Sequence, residues 1–308
     1  MTPPCIWTFL SSLGKSEFFS TLLEQAGGRN EGLPVEIGRP IVPKEHGAWA
    51  IIYGAFLAGV GVAGQVTLPV ILFLAGVTAA GFANGPFAIL IRSTPGQGDP
   101  ERRRRALAWL LLYGAAAILA FGPLLIAFQM TFLLPFGMGA VFFLLLRAFL
   151  VREHDDRTLP GELVGTAGLS MVGPAAHAVA VGAVRPVGAV LWLLLFLFFA
   201  SGVFYVRMRI RAMLAHRRGG AAPSNPAVWS CVGYHVVLFV VIPSLVMGKL
   251  IPWPVLLAFA PALWRAAAGL RREDTRLDVR RLGWSEVAVA TAFVLLLIAA
   301  FRIVPPAG

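Results

Sequence analysis

The sequence is poor in cysteine and in charge. Its two cysteines among 308 residues, Cys5 and Cys231, are far apart and are interpreted as lacking a partner His or Cys, which argues against a disulfide framework or a thiolate metal site. Charged residues make up 13% of the chain, whereas a soluble globular protein carries about 25%. Because 58% of the residues are hydrophobic and mean hydropathy is +0.78, a buried core alone does not explain this deficit. The composition therefore excludes an ordinary soluble domain.

Long apolar stretches recur along the chain. Each comes close to the ~20 residues needed to cross ~30 Å of hydrocarbon, and they lie at 47–66, 68–91, 106–123, 124–146, 162–183, 187–206, 228–248, 251–270 and 283–301. They predict an all-α, polytopic transmembrane bundle of about nine spans over residues 43–304. Residues 1–42 lack a periodic pattern of apolar residues and the basic N-terminal region of a signal peptide. We therefore expect a largely disordered cytoplasmic tail there.

The basic residues fix the expected orientation. With the N-terminus inside, only Arg185, Lys249 and Arg302 of the 26 Lys and Arg residues fall outside, a strong bias of the kind that the positive-inside rule describes. The chain is therefore predicted to be a multi-pass protein of the cell's inner (cytoplasmic) membrane, with its C-terminus outside. Because topology accounts for the charge, the sequence predicts no nucleic-acid partner.

A first group of candidate site residues lies at the start of the first span and the end of the second. Pro43, Glu45 and Trp49 fit a capped helix at the membrane interface. Alternatively, Lys44 and Trp49 contact a ligand while His46 or Glu45 carries a proton as the catalytic group. Asn84, ~12 Å inside the second span, and Arg92 extend this ligand-binding set, although Asn84 could equally be a helix–helix contact.

A second group follows the sixth span. Tyr205, Arg207 and Arg209 precede a basic loop, and guanidinium groups match phosphate oxygens well; the alternative is contact with anionic phospholipid headgroups. His235, ~10 Å inside the seventh span, completes the predicted ligand-binding residues, with a simple helix contact as its alternative. Glu162 and Glu286 are interpreted as acidic residues at helix N-termini, and His177 lies too far outward to join the set. The pattern predicts no metal site and identifies no cofactor.

Three segments carry a family resemblance: "PKEHGAWA", "ASGVFYVRMRIR" and "LDVRRLGWSEV". Over roughly 41–301 the chain resembles the YwiC-like family of bacterial integral membrane proteins, a resemblance that implies no reaction. Its architecture is also similar to that of UbiA-type intramembrane prenyltransferases, which implies a cytoplasm-facing isoprenoid cavity. Asn84 matches the Asn of their first motif, but Ala88 stands where its first Asp would be. Arginines replace the second Asp set, so the Asp-rich Mg²⁺-binding motifs are missing.

Three functions remain open from the sequence. The first is a UbiA-like, prenyltransferase-related protein that binds a phosphorylated isoprenoid, a quinone precursor or a similar amphiphile, whether or not it is an enzyme. The second is a non-catalytic membrane assembly factor or partner of a respiratory complex, with a protein partner at its basic loops. Helix breaks are also expected inside three spans, at Pro86, at Gly173-Pro174 and at Pro243. The third function is a small-molecule transporter, because broken helices such as those expected at Pro86 and Pro174 are a pointer to a midplane substrate site.

Overall fold

The protein is an all-helical bundle over the residues that the structure, a computed structural model, describes: 40–42, 46–92, 99–152, 159–217, 226–271 and 279–304. No strand occurs in these ranges, so the predicted all-α class is confirmed. The helices are α1 His46–Ala63, α2 Leu68–Arg92, α3 Pro100–Ile126, α4 Leu133–Arg152, α5 Leu159–Ser170, α6 Val172–Val181, α7 Pro186–Arg217, α8 Pro226–Met247, α9 Val255–Arg271 and α10 Val279–Ile303.

Six of the helical stretches are long and apolar enough to cross a membrane. They are Leu68–Ile91, Pro100–Ile126, Leu159–Val181, Pro186–Ala215, Pro226–Met247 and Arg280–Ile303, and two shorter apolar helices cover Gly47–Ala63 and Leu133–Leu146. Large apolar side chains point outward on several helices, as Leu111, Ile118 and Leu119 do on α3. A soluble protein rarely exposes apolar surface on this scale, so the structure is that of a multi-pass membrane protein.

The predicted boundary between the third and fourth spans is wrong. We expected a turn at Phe121–Leu124 and a fourth span over 124–146, but α3 runs through Pro123 and ends at Ile126, and α4 begins at Leu133. The carbonyl of Pro123 still accepts hydrogen bonds from the backbone N–H groups of Ala127 and Phe128, at 2.9 and 3.0 Å. A proline this close to the C-terminal end is therefore compatible with the helix.

Of three helix breaks expected at prolines, one is found in the described residues. Helices α2 and α8 continue through Pro86 and Pro243. The fifth span is interrupted, but at Met171 rather than at Gly173-Pro174, and α6 starts at Val172. Pro174 consequently lies in the first turn of α6, where a missing backbone N–H is tolerated.

Helix α1 lies between two hydrophobic clusters. One joins it to α7–α10 through residues such as Ala55, Leu194 and Phe293. The other joins it to α2, α3, α4 and α6 through residues such as Phe56 and Val179. Small residues permit this central position: a Cβ placed on Gly59 would run into the backbone carbonyl of Gly173 in α6. Close packing of small residues is the usual means by which membrane helices associate.

Candidate functional site

A buried ion pair joins the start of α5 to the C-terminal part of α7. Arg207 Nη1 lies 3.1 Å from Glu162 Oε2, and only 2% of the Glu162 side chain is exposed. Glu162 lies in the first turn of α5, as expected from the helix dipole. Its carboxylate, however, also neutralises an arginine that we had assigned to ligand binding.

A second ion pair joins α9 to α10. Arg265 Nη1 contacts Glu286 Oε2, and Arg265 Nη2 donates to Ser201 Oγ on α7 at 3.0 Å. The guanidinium carbon lies 4.7 Å from the centre of the buried Tyr205 ring, a cation–π arrangement. Arg265 Nε and Glu286 Oε1 are buried, and neither atom has a hydrogen-bond partner among the described residues. One arginine thus ties three helices together and leaves two polar atoms for a further contact.

We call Glu162, Ser201, Tyr205, Arg207, Arg265 and Glu286 the polar cluster. The contacts between its members show that the C-terminal parts of α7 and α9 and the N-terminal parts of α5 and α10 meet at one end of the bundle, which we call the arginine-rich end. An ion pair taken out of water needs close geometry and extra hydrogen bonds to offset desolvation. Ionisable groups inside a membrane bundle are functional candidates for that reason.

Sequence reasoning misplaced two members of the polar cluster. Glu286 was interpreted as an N-terminal cap, but α10 begins at Val279, so Glu286 lies about two turns inside the helix and pairs with Arg265. Arg265 is counted from the sequence with the cations of the cytoplasmic side, but in the structure it is 8% exposed within α9. The sequence does carry a signal for this pair. Arg265 and Glu286 each lie inside an apolar stretch, and both are six to seven residues from the loop that connects α9 to α10.

Arg209 and Tyr205 contact the C-terminal part of α9. Arg209 is buried, and its Nη1 donates to the carbonyl of Gly269 at 3.3 Å. A cation at the C-terminal carbonyls of a helix is electrostatically favourable. A Cβ on Gly269 would collide with the Tyr205 ring, so glycine permits this close approach. Tyr205, Arg207 and Arg209 therefore lie together at the arginine-rich end, and their role in ligand binding stays a prediction.

His235 lies on α8, whose Cys231 belongs to the same hydrophobic cluster as Tyr205. It is buried, its Nδ1 bonds the carbonyl of Cys231 at 2.8 Å, and its Nε2 has no hydrogen-bond partner among the described residues. Arg265 is close enough to interact electrostatically with both side chains. Cys231 was expected to have no His nearby, which is wrong: its Sγ lies 3.7 Å from His235 Nδ1, because residues four apart share a helix face. Across the described ranges, no three His, Cys, Asp or Glu residues group as metal ligands do.

The first predicted group is only partly described. Lys44 and Glu45 lie outside the described residues, and for His46 and Arg92 the backbone alone is described, as the first residue of α1 and the last of α2. Trp49 is half-buried and packs on Phe82 of α2 at 4.9 Å between ring centres. Asn84 is half-buried on α2. A proton-carrying role for His46 or Glu45 thus stays a prediction.

Aromatic rings continue from Trp49 across three helices. Trp49 stacks on Tyr53 at 5.5 Å, Phe82 stacks on Tyr113 of α3 at 5.5 Å, and Tyr113 contacts Trp109 at 5.3 Å. Trp49 itself lies in the first turn of α1, where Trp and Tyr of an interfacial aromatic belt are typical. The rings of Tyr53, Phe82 and Tyr113 lie deeper along their helices.

A cavity of about 510 Å³ lies at the other end of α7. Its wall comes from α4, α6, α7 and the turn between α6 and α7, with His177 and Arg185 as its titratable residues. The lining residues are Phe136, Met171, Pro174, His177, Ala178, Val184, Arg185, Pro186, Gly188, Ala189 and Trp192. His177 is buried, and Arg185 is exposed.

Fold and polar sites together define a multi-pass helical membrane protein with buried charges inside its bundle. Residues 42–178 match the family model described as YwiC-like protein, so the predicted resemblance to that family is confirmed over this segment. No curated protein and no solved structure matches the chain. The match includes Glu162 and His177, while the arginines of α7 and α9 lie beyond it.

Proposed function

We propose that this protein crosses the inner membrane nine times, with its arginine-rich end in the cytoplasm, and binds an anionic amphiphile there. The ligand class is a phosphorylated isoprenoid, a quinone precursor or a related molecule with a phosphate head and an apolar tail. Helices α1 to α10 supply nine crossings if α5 and α6 act as one interrupted span and the shorter α1, α4 and α9 also cross.

The grouping of Arg207, Arg209 and Arg265 at one end of the bundle carries the proposal. Each guanidinium is held in place by another helix, through Glu162, the Gly269 carbonyl and Glu286 respectively. Pre-positioned arginines lose little conformational entropy when they bind an anion. An arginine has five N–H donors, so a phosphate can add to the contacts already present.

Electrostatics around the arginine-rich end favour an anion as well. Arg102, Arg103 and Arg104 are exposed at the start of α3, and basic residues near a membrane surface attract anionic headgroups by about 1 kcal/mol each. We infer that the basic rim concentrates anionic amphiphiles and that the polar cluster holds the head group. The reaction, if there is one, does not follow from these contacts.

Co-purified lipid tests the proposal directly. The full-length protein is purified in mild detergent, and the bound lipids are extracted and identified by mass spectrometry. We expect an anionic amphiphile near one equivalent, and we expect Arg207→Ala/Arg209→Ala to lower its retention about tenfold or more, since hydrogen bonds to charged groups contribute about 1.5–3 kcal/mol each. Arg280→Ala is the matched control, an exposed arginine at the start of α10, and should retain the ligand.

One outcome would count against this function, and a second would call for a further variant. Equal retention in the double variant and the control would exclude the arginines of α7 as the binding group. Loss of retention together with loss of the folded monomer in size-exclusion chromatography would make a second variant necessary. That variant is Arg207→Lys/Arg209→Lys, which keeps both positive charges. If the alanine variant loses the ligand because it lacks these charges, the lysine variant must retain most of the ligand.

The interruption of the fifth span favours transport as a second candidate. Helices α5 and α6 meet at Met171 in mid-span, and the buried Ser170 Oγ has no hydrogen-bond partner among the described residues. Interrupted helices at membrane depth are tolerated where they line a cavity or are buried in protein. The test is uptake of a small molecule into proteoliposomes that contain the protein. Uptake that is abolished by Ser170→Leu would favour transport over binding alone.

A further inference from the structure

The cavity beside α6 combines one exposed cation with apolar walls. Its volume is about 510 Å³, within the range of about 300–1,000 Å³ for ligand pockets. Met171, Pro174 and Trp192 contribute apolar wall, and Arg185 stands at the turn between α6 and α7. Such a lining suits a molecule with one anionic group and an apolar body.

His177 adds a polar group to this wall. It is 5% exposed, and its Nδ1 is buried without a hydrogen-bond partner among the described residues. Arg185 is close enough to His177 to interact with it electrostatically. A buried polar atom without a partner is uncommon in native proteins, and a bound head group near Arg185 would bring acceptor oxygens towards this imidazole.

The cavity is separate from the polar cluster. At 1.5 Å per residue, the part of α7 from Pro186 to Arg207 is ~30 Å long, about the thickness of the hydrocarbon core. The two places therefore lie at opposite ends of the helix and share no residue. An inference about the cavity does not depend on the function proposed for the arginine-rich end.

The cavity lies next to the outer surface of the bundle and is open there. The lining residues Val184 and Ala189 are exposed, and α4, which carries the lining residue Phe136, has its opposite face exposed and apolar at Leu134, Met138 and Val141. A ligand from the surrounding lipid therefore enters from this surface without crossing the bundle. A small hydrophilic anion, in contrast, would gain nothing from the apolar wall.

We propose that this cavity is a binding site for an anionic phospholipid, with the phosphate at Arg185 and one acyl chain against Met171, Pro174 and Trp192. The occupant comes from the bilayer itself. Charge complementarity selects an anionic head group, and the apolar wall selects the chain. The site makes the lipid an integral part of the bundle at the end opposite to the arginine-rich end.

Native mass spectrometry of the full-length protein in nanodiscs tests the site. The nanodiscs contain phosphatidylglycerol mixed with phosphatidylcholine. The protein is ejected from the nanodisc in the mass spectrometer, and the lipids that stay bound to it are counted. We expect phosphatidylglycerol to be retained in preference, and Arg185→Gln to reduce that preference about fivefold. Lys249→Gln is the matched control, because Lys249 is another exposed cation in a turn and does not line the cavity.

A second variant separates the apolar wall from the charge. Ala189 lines the cavity and is exposed, so Ala189→Phe can fill the space without disturbing the buried core. We expect it to exclude the acyl chain and to abolish cross-linking of a diazirine-bearing phosphatidylglycerol to Met171 and Trp192. Arg207→Ala/Arg209→Ala should leave this cross-linking unchanged, which distinguishes failure here from failure of the proposed function.

Three results would overturn the inference. Equal retention of phosphatidylglycerol and phosphatidylcholine would show that no charge is recognised. An equal effect of Arg185→Gln and Lys249→Gln would reduce the preference to surface charge. Cross-links that survive Ala189→Phe, or that map away from α6 and the start of α7, would place the lipid elsewhere.

Discussion

The ion pair between Arg265 and Glu286 gives a quantitative prediction about stability. The change is Arg265→Met, which keeps much of the side-chain volume and leaves the Glu286 carboxylate in the bundle without its cation. Arg265 is 8% exposed and the Glu286 side chain 20% exposed. Breaking a buried pair by removing one partner costs about 3–5 kcal/mol. Because water has partial access to Glu286, we expect a loss of about 3 kcal/mol, at the lower end of that range. The lost hydrogen bond to Ser201 adds about 1 kcal/mol.

A double-mutant cycle separates the pair from its surroundings. Glu286→Leu alone leaves a buried guanidinium and should also cost about 3 kcal/mol, whereas Arg265→Met/Glu286→Leu removes both charges and should recover most of the loss. The assay is reversible unfolding in mixed micelles, followed by circular dichroism. Arg280→Met, at an exposed arginine of α10, is the control and should change stability by no more than about 0.5 kcal/mol. A double variant as unstable as the sum of the two single variants would refute the coupling.

Three other predictions follow from single contacts. Gly59→Ala should lower the free energy of unfolding by about 1–3 kcal/mol, because the added Cβ meets the Gly173 carbonyl. In the same unfolding assay the control Gly114→Ala should be neutral or stabilising, because a Cβ there has nothing within 4 Å. Tyr234→Phe should cost about 1 kcal/mol in thermal unfolding, since its hydroxyl donates to the Leu197 carbonyl at 2.8 Å; no loss would contradict that bond. Glu162→Gln should make Arg207 more reactive towards phenylglyoxal, because the neutral amide holds the guanidinium less tightly; unchanged reactivity would argue against the pair.

The helical architecture could be predicted because it depends on local composition. A segment such as Pro186–Arg217 is apolar over a length that only a membrane span requires, and the sequence shows this without knowledge of any partner. The boundary at Pro123 could not be predicted in the same way. A proline signals a helix end on average, but near the C-terminal end its carbonyl still accepts hydrogen bonds and the helix continues.

The candidate site was predicted only where residues are close in sequence. Tyr205, Arg207 and Arg209 lie on one helix, so their shared location followed from spacing. Pairing between helices does not follow from spacing: Arg265 and Glu286 meet because α9 and α10 form an antiparallel hairpin. The simplest interpretation of an arginine near a predicted loop is that it marks the cytoplasmic side of the membrane. Whether its side chain is buried depends on how neighbouring helices pack, which the sequence alone does not give.

Sidedness of the bundle is the most direct test of the central claim that nine crossings place the arginine-rich end in the cytoplasm. In a background with Cys5→Ser, which keeps the buried Cys231 as an internal negative control, one cysteine at a time replaces Gln65, Arg104 or Lys249, all exposed next to helix ends. Each variant is labelled in intact cells with a membrane-impermeant maleimide. We predict labelling of the cysteines at 65 and 249 from outside, and labelling of the cysteine at 104 only after permeabilisation. Labelling at 104 in intact cells, or protection at either 65 or 249, would contradict the account.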